Sequence, residues 1–157
     1  MYRRNLPHWH PAGRPLFITW RLAGTYPKKH RSGPAWLWRP EIAGCVLDCL
    51  REHAGSRYEL HAFVVMPDHV HVLLTPSAEP SVITGAIKGK SSRIANTILQ
   101  RTGSPFWQDE SFDHWIRSRA EFEETRSYIE ANPVRAGLVS APEEWPYSSA
   151  AVRSFTG

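Results

Sequence analysis

His69-Val70-His71 puts two imidazoles two residues apart. On a β-strand, residues i and i+2 point to the same face, so both rings project together while Val70 and Val72 turn the other way. Two neutral imidazoles on one rigid strand make half of a divalent-metal site. An isolated pair of this kind also arises by chance, so its position carries the case. The pair opens an otherwise apolar strand, where polar groups without partners are costly. Asp68, just before it, is either a further ligand or the turn residue that leads into the strand, and its place favours the turn.

Tyr128 and Asn132 form the second candidate group. Four residues apart on a helix, they share a face, with Cβ atoms about 5–6 Å from each other. Phe122, Thr125 and Ile129 make the face that docks on the core, and Tyr128 lies at its edge. From there a phenol can aim at a metal-held phosphate while Asn132 lends an amide oxygen. The alternative is a packing tyrosine followed by a helix-ending asparagine, since a residue before proline is pushed away from helical dihedrals.

Basic residues add a weaker signal. Lys88, Lys90 and Arg93 share one predicted helix, where they either follow a nucleic-acid backbone or form a solvated face. Arg135, just past the tyrosine helix, clamps a phosphate or simply sits at the surface. Trp107 and Trp115 are candidates for base stacking, worth about 1–3 kcal/mol per base, against a plain core role. The net charge is +4 and the pI about 9.3, with Arg outnumbering Lys. The planar fork of Arg suits phosphate, but GC-rich coding also inflates Arg, so charge only leans towards nucleic acid.

The elements that must position these residues follow from patterning. Residues 1–15, with Pro7, Pro11, Gly13 and Pro15, form an irregular arm. Leu16 to Leu22 is β-branched and aromatic and forms a strand, and Gly24 to Pro40 is a loop. Ile42, Cys45, Val46, Cys49 and Leu50 recur at helical spacing over Glu41 to His53. Two apolar runs, Tyr58 to Met66 and His69 to Leu74, are separated only by Pro67-Asp68, a hairpin turn. A second helix runs from Ser81 to Gln100 on Ile83, Ala86, Ile87, Ile94 and Ile98. Phe112 to Arg117 alternates as a short strand. Ser118 with Glu121 is a capping-box pattern that opens a third helix ending near Asn132-Pro133. The tail 141–157 packs on the surface. This order predicts a ferredoxin-like α+β fold: an antiparallel sheet with helices on one face, plus an extra C-terminal helix carrying the tyrosine.

A length of 157 residues suits one domain with one proper core. No apolar run is long enough to cross a bilayer, and the opening residues are no secretory signal, so a cytoplasmic location is expected. Cys45 and Cys49 fall on the apolar stripe of their helix and are expected as buried thiols rather than a metal or redox pair.

Two stretches carry a family resemblance. Phe-Val-Val-Met-Pro-Asp-His-Val-His-Val-Leu-Leu (63–74) resembles the HUH signature of single-strand DNA transposases. Tyr-Ile-Glu-Ala-Asn-Pro-Val-Arg-Ala-Gly-Leu-Val (128–139) is similar to the tyrosine motif of the REP-associated tyrosine transposases. Phe106-Trp107-Gln108, Asp113-His114-Trp115-Ile116-Arg117 and Glu144-Trp145-Pro146-Tyr147-Ser148-Ser149 match further, in the family's order. The resemblance implies a single HUH nuclease domain over 1–157, a Mg²⁺ or Mn²⁺ cofactor, and one catalytic tyrosine. It also implies transient covalent attachment to the 5′ phosphate of cleaved single-stranded DNA, often at hairpin-forming repeats. Carried over, His69 and His71 are metal ligands, Tyr128 the nucleophile and Asn132 the third, amide-bearing ligand. With one tyrosine per chain, the protein acts as a monomer or as a dimer on DNA. The alternatives are a catalytically inactive or host-adapted nucleic-acid-binding protein, and a small hydrolase that uses a metal-bound water.

Overall fold

The computed structural model describes residues 13–25 and 33–156, without the side chains of 153–156. Most of the predicted arm and the middle of the predicted loop therefore lie outside the described residues. Four strands form one antiparallel sheet: β1 (Leu16–Arg21), β2 (Tyr58–Val65), β3 (His69–Pro76) and β4 (Phe112–Trp115), in the spatial order β2-β3-β1-β4. The helices are α1 (Pro40–Glu52), α2 (Pro80–Leu99), α3 (Arg119–Arg135) and α4 (Ser149–Thr156). This is the ferredoxin-like arrangement expected from the element order. The β2–β3 hairpin closes over Pro67-Asp68, with the Met66 N–H donating to the His69 carbonyl at 2.8 Å.

Strand alternation divides the interior in two. Leu16, Ile18 and Trp20 of β1 and Val70 and Val72 of β3 face a first core with Ile42, Val46, Ile83 and Ile87 of α1 and α2. Cys45 and Cys49 are buried free thiols there, and burial pushes Cys45 up to about 12. Across the sheet, Ala62, Val64 and Leu73 meet Ile129 of α3 and Trp145 in a second core. Ile129 is fully buried, which is worth about 1.5–3 kcal/mol for such a side chain. The odd positions 69, 71 and 73 of β3 thus share the sheet face that α3 covers.

Three local expectations are revised. Ile94 and Ile98 are each 37% exposed, because the buried stripe of α2 runs in steps of four through Ile83, Ile87, Ser91 and Ala95. Ser91 is tolerated there because its hydroxyl donates to the Ile87 carbonyl and accepts from Trp107 Nε1. Helix α3 does not stop at Asn132-Pro133 but continues to Arg135. Pro133 has a helical φ but no N–H, so it removes one hydrogen bond near the helix end, and the exit is stabilised further on, where the Gly137 N–H donates to Val134 and the Leu138 N–H to Pro133. That pattern requires the positive φ of 76° at Gly137.

The tail is the third. Trp145 is only 5% exposed and donates Nε1–H to the Val65 carbonyl at 2.9 Å, and the Val65 N–H donates to Tyr147. These bonds cover the outer edge of β2, whose backbone groups would otherwise lack partners. Ser149 accepts the Phe63 N–H at 3.1 Å and donates to the buried Glu130 carboxylate at 2.6 Å. The tail is therefore fastened to α3, two residues beyond Tyr128.

Candidate active site

In the β1–β3 pairing, Thr19 lies opposite His71 and Arg21 opposite His69, so all four side chains share the α3-facing surface. The two imidazoles are 4.7 Å apart between centroids and nearly perpendicular. Each is fixed through Nδ1. His69 Nδ1 lies 2.6 Å from Asp68 Oδ1, and His71 Nδ1 lies 2.7 Å from Thr19 Oγ1. An ionised carboxylate only accepts, so the proton of this hydrogen bond belongs to His69 Nδ1. Asp68 is the turn residue the sequence suggested and, beyond that, the group that orients His69; its other oxygen accepts from Arg21 at 3.2 Å. Burial opposes ionisation of Asp68, yet the His69 hydrogen bond and the charges of His69 and Arg21 hold its carboxyl below the usual range. Burial, reinforced by the charges of His69 and Arg21, pushes His71 down to about 3, leaving a neutral imidazole.

Helix α3 brings Tyr128 over this surface. Its ring centroid is 5.5 Å from that of His71 and 6.2 Å from that of Phe17, both edge-on, and the residue is 40% exposed. Because α3 continues through Pro133, Arg135 comes two turns after Tyr128 on the same side, and its guanidinium lies 5.2 Å from the tyrosine centroid. His69, His71, Tyr128 and Asn132 line one open cavity of about 1410 Å³, with Arg21 and Asp68 on its wall.

The resemblance implies a divalent cation in this cavity. Among the described residues, no group of three or more His, Cys, Asp or Glu stands ready to hold a metal ion. What the cavity offers instead is two imidazoles, each held through Nδ1, plus the Asn132 amide. A histidine oriented by a carboxylate or similar acceptor is the usual state of a ligating imidazole. Two nitrogens and an amide oxygen leave positions for water and phosphate oxygens, which a hard cation requires. The residues fit such an ion.

The remaining predicted residues lie elsewhere. Lys88, Lys90 and Arg93 belong to α2, in the helical layer on the opposite face of the sheet. The Lys88 ammonium donates to the carbonyls of Gln108 and Asp109 at 2.7 and 3.2 Å, holding the 108–111 loop on the cavity rim. Lys90 pairs with Glu52 at 2.7 Å, and Arg93 is exposed. Trp107 is buried and Trp115 packs on the first core, the core role weighed above against base stacking. Among the described residues, the exposed tryptophan on the cavity is Trp38, in the stretch 24–40 whose prolines suggest a loop. Its only signal in the sequence was Trp36-Leu37-Trp38 set between prolines, a local aromatic density that gave no hint of the wall it joins.

Residues 39–132, more than half of the chain, match the family model described as transposase IS200 like. The matched span runs from the start of α1 through both histidines to Asn132. The chain belongs to the IS200-like transposase family, a family of DNA-processing enzymes. Within it, the similarity to REP-associated tyrosine transposases read from the motifs is matched by a curated relative of that name from Escherichia coli K12, 28% identical over 94 residues. That alignment covers 59% of this chain and 54% of the relative, so the chain spans about half the length of the curated relatives it matches. In fold, the chain is similar to the solved structure of a REP-associated tyrosine transposase bound to a REP hairpin. The TM-score is 0.65 at 23% identity, over 95% of this chain and 81% of that one.

Proposed function

We propose that this protein is a metal-dependent single-stranded DNA endonuclease and strand transferase that works through a 5′-phosphotyrosine on Tyr128. The observation that carries this reading is the Tyr128 ring 5.5 Å from His71, in the cavity that also contains His69 and Asn132. His69, His71 and Asn132 would hold Mg²⁺ or Mn²⁺. When bound, the cation supplies Lewis-acid polarisation of a non-bridging phosphate oxygen. The Tyr128 phenol attacks phosphorus in line, forming the phosphotyrosine bond as the bond to the 3′ oxygen breaks. The phenolic proton passes to water in the open cavity, and the departing 3′ oxygen takes one up. A 3′ hydroxyl that later attacks the same phosphorus releases Tyr128 and rejoins the strand, with no loss of bond energy between the two steps.

Arg135, stacked on the tyrosine ring, meets a phosphate beside the nucleophile. Lys90 and Arg93 serve DNA that runs round the molecule, and Lys88 acts indirectly by holding the 108–111 loop. The substrate is single-stranded DNA with hairpin-forming repeats. Family membership supports the class of substrate, and the REP hairpin bound by the structural relative supports its form.

The test incubates wild type and Tyr128→Phe with hairpin-bearing single strands and Mn²⁺. On a denaturing gel, the wild type is expected to give a protein–DNA species of reduced mobility that Tyr128→Phe does not. A wild type that binds without cutting indicates a binding protein, and a Tyr128→Phe variant that cuts normally indicates a metal-bound water as nucleophile. Either outcome overturns the proposal.

A further inference from the structure

Trp38 belongs to neither core. Trp20, Trp107 and Trp145 are buried, whereas Trp38 is 52% exposed. It closes the short 3-10 turn Trp36–Trp38, which is pinned on both sides. Leu37 is fully buried, and its N–H donates to the Pro67 carbonyl at 3.1 Å, in the hairpin turn that carries Asp68. The Trp38 indole is braced edge-on by Trp145 at 5.6 Å, and Trp145 is itself tied to β2 through Nε1. A large aromatic side chain is thus held in place while half of its surface stays bare. Folding alone does not account for that, because burial would gain more.

The bare indole lines the same cavity as His71 and Tyr128. At about 1410 Å³ that cavity exceeds the roughly 300–1,000 Å³ of a small-molecule site and has room for several nucleotides. Its wall carries both the Arg21 guanidinium, held in place by Asp68 at 3.2 Å, and a flat aromatic surface. Together they match the two parts of a single strand, phosphate and base. A base stacks on an aromatic face whatever its identity, so such a platform fixes the strand without dictating sequence.

We infer that Trp38 is a base-stacking platform for a nucleotide near the scissile phosphate, seating the single strand along the cavity between the 36–38 turn and α3. This rests on the nuclease reading of the site. The experiment measures equilibrium binding of labelled, hairpin-bearing DNA oligonucleotides by fluorescence anisotropy. In the set, one abasic site is stepped along the single-stranded arm. Wild type, Trp38→Ala and Trp38→Phe are compared, each checked for an unchanged melting transition.

On the intact oligonucleotide, Trp38→Ala is expected to bind about tenfold more weakly and Trp38→Phe to recover most of the loss. At one position, or two adjacent ones, the abasic strand should weaken wild type as much as Trp38→Ala does, with no further loss in the variant. Equal binding by wild type and Trp38→Ala overturns the inference, and so does a Trp38→Ala defect that is the same for every abasic position. If wild type forms its covalent adduct while binding ignores Trp38, only this inference falls. If wild type binds no single strand at all, both readings fall.

Discussion

Asp68 has two carboxylate oxygens and two partners, His69 Nδ1 at 2.6 Å and Arg21 at 3.2 Å. From the sequence it was a turn residue next to an imidazole pair. The pair itself was legible because alternation along a strand is a local rule that needs only two residues of spacing. The orienting roles of Asp68 and Thr19 were not legible, since Thr19 meets His71 only through the β1–β3 register, 52 residues apart. Removing such an orienting group commonly costs 10–100-fold in metal affinity. Asp68→Ala is therefore expected to weaken Mn²⁺ binding by about one to two orders of magnitude, as read by isothermal titration without DNA. Unchanged affinity would mean that the carboxylate serves the turn alone. Trp38 was hidden for the same reason as Thr19: its cavity is assembled from separate parts of the chain.

Helix α3 shows how far patterning reaches at the next scale. Its start was legible because Ser118 caps it locally, the Glu121 N–H donating to Ser118 Oγ at 3.1 Å. Its end was not, because Pro133 suggests a stop while Gly137 and Leu138 supply the real one. The tail was misjudged for a further reason. Edge pairing with β2 depends on strand order, and a stretch of Pro, Ser and a single Trp carries no trace of it. The consequence can be tested at Ser149, which joins α4, β2 and the buried Glu130 of α3. Ser149→Ala leaves a buried carboxylate and the Phe63 N–H each short of a partner, a loss of about 1–3 kcal/mol. For a chain of this size each kcal/mol lowers Tm by roughly 2–4 °C. A melting curve that matched wild type would show the network to be idle.

Across the whole molecule, the element order gave the sheet order, because few topologies accommodate strand-helix-strand twice with short, right-handed connections. Charge was less informative. A net charge of +4 leaves open which basic residues meet DNA. The fold separates them: Arg135 lies over Tyr128, while Lys90 is paired with Glu52 on the opposite layer. In a salt titration of single-strand binding, Arg135→Ala is expected to reduce the slope of log K against log[salt] by about one, the signature of one lost phosphate contact. Lys90→Ala should change it less. The reverse order would put the DNA path over α2 and away from the tyrosine.

The most direct measurement digests the wild-type protein with trypsin after incubation with a hairpin-bearing strand and Mn²⁺, then maps by mass spectrometry the residue that carries nucleotide. Cleavage after Arg126 and Arg135 isolates residues 127–135, in which Tyr128 is the only phenol. That peptide is predicted to carry the 5′-phosphorylated DNA fragment on Tyr128. Nucleotide mass on any other residue, or cut DNA with no modified peptide, would contradict Tyr128 as the nucleophile.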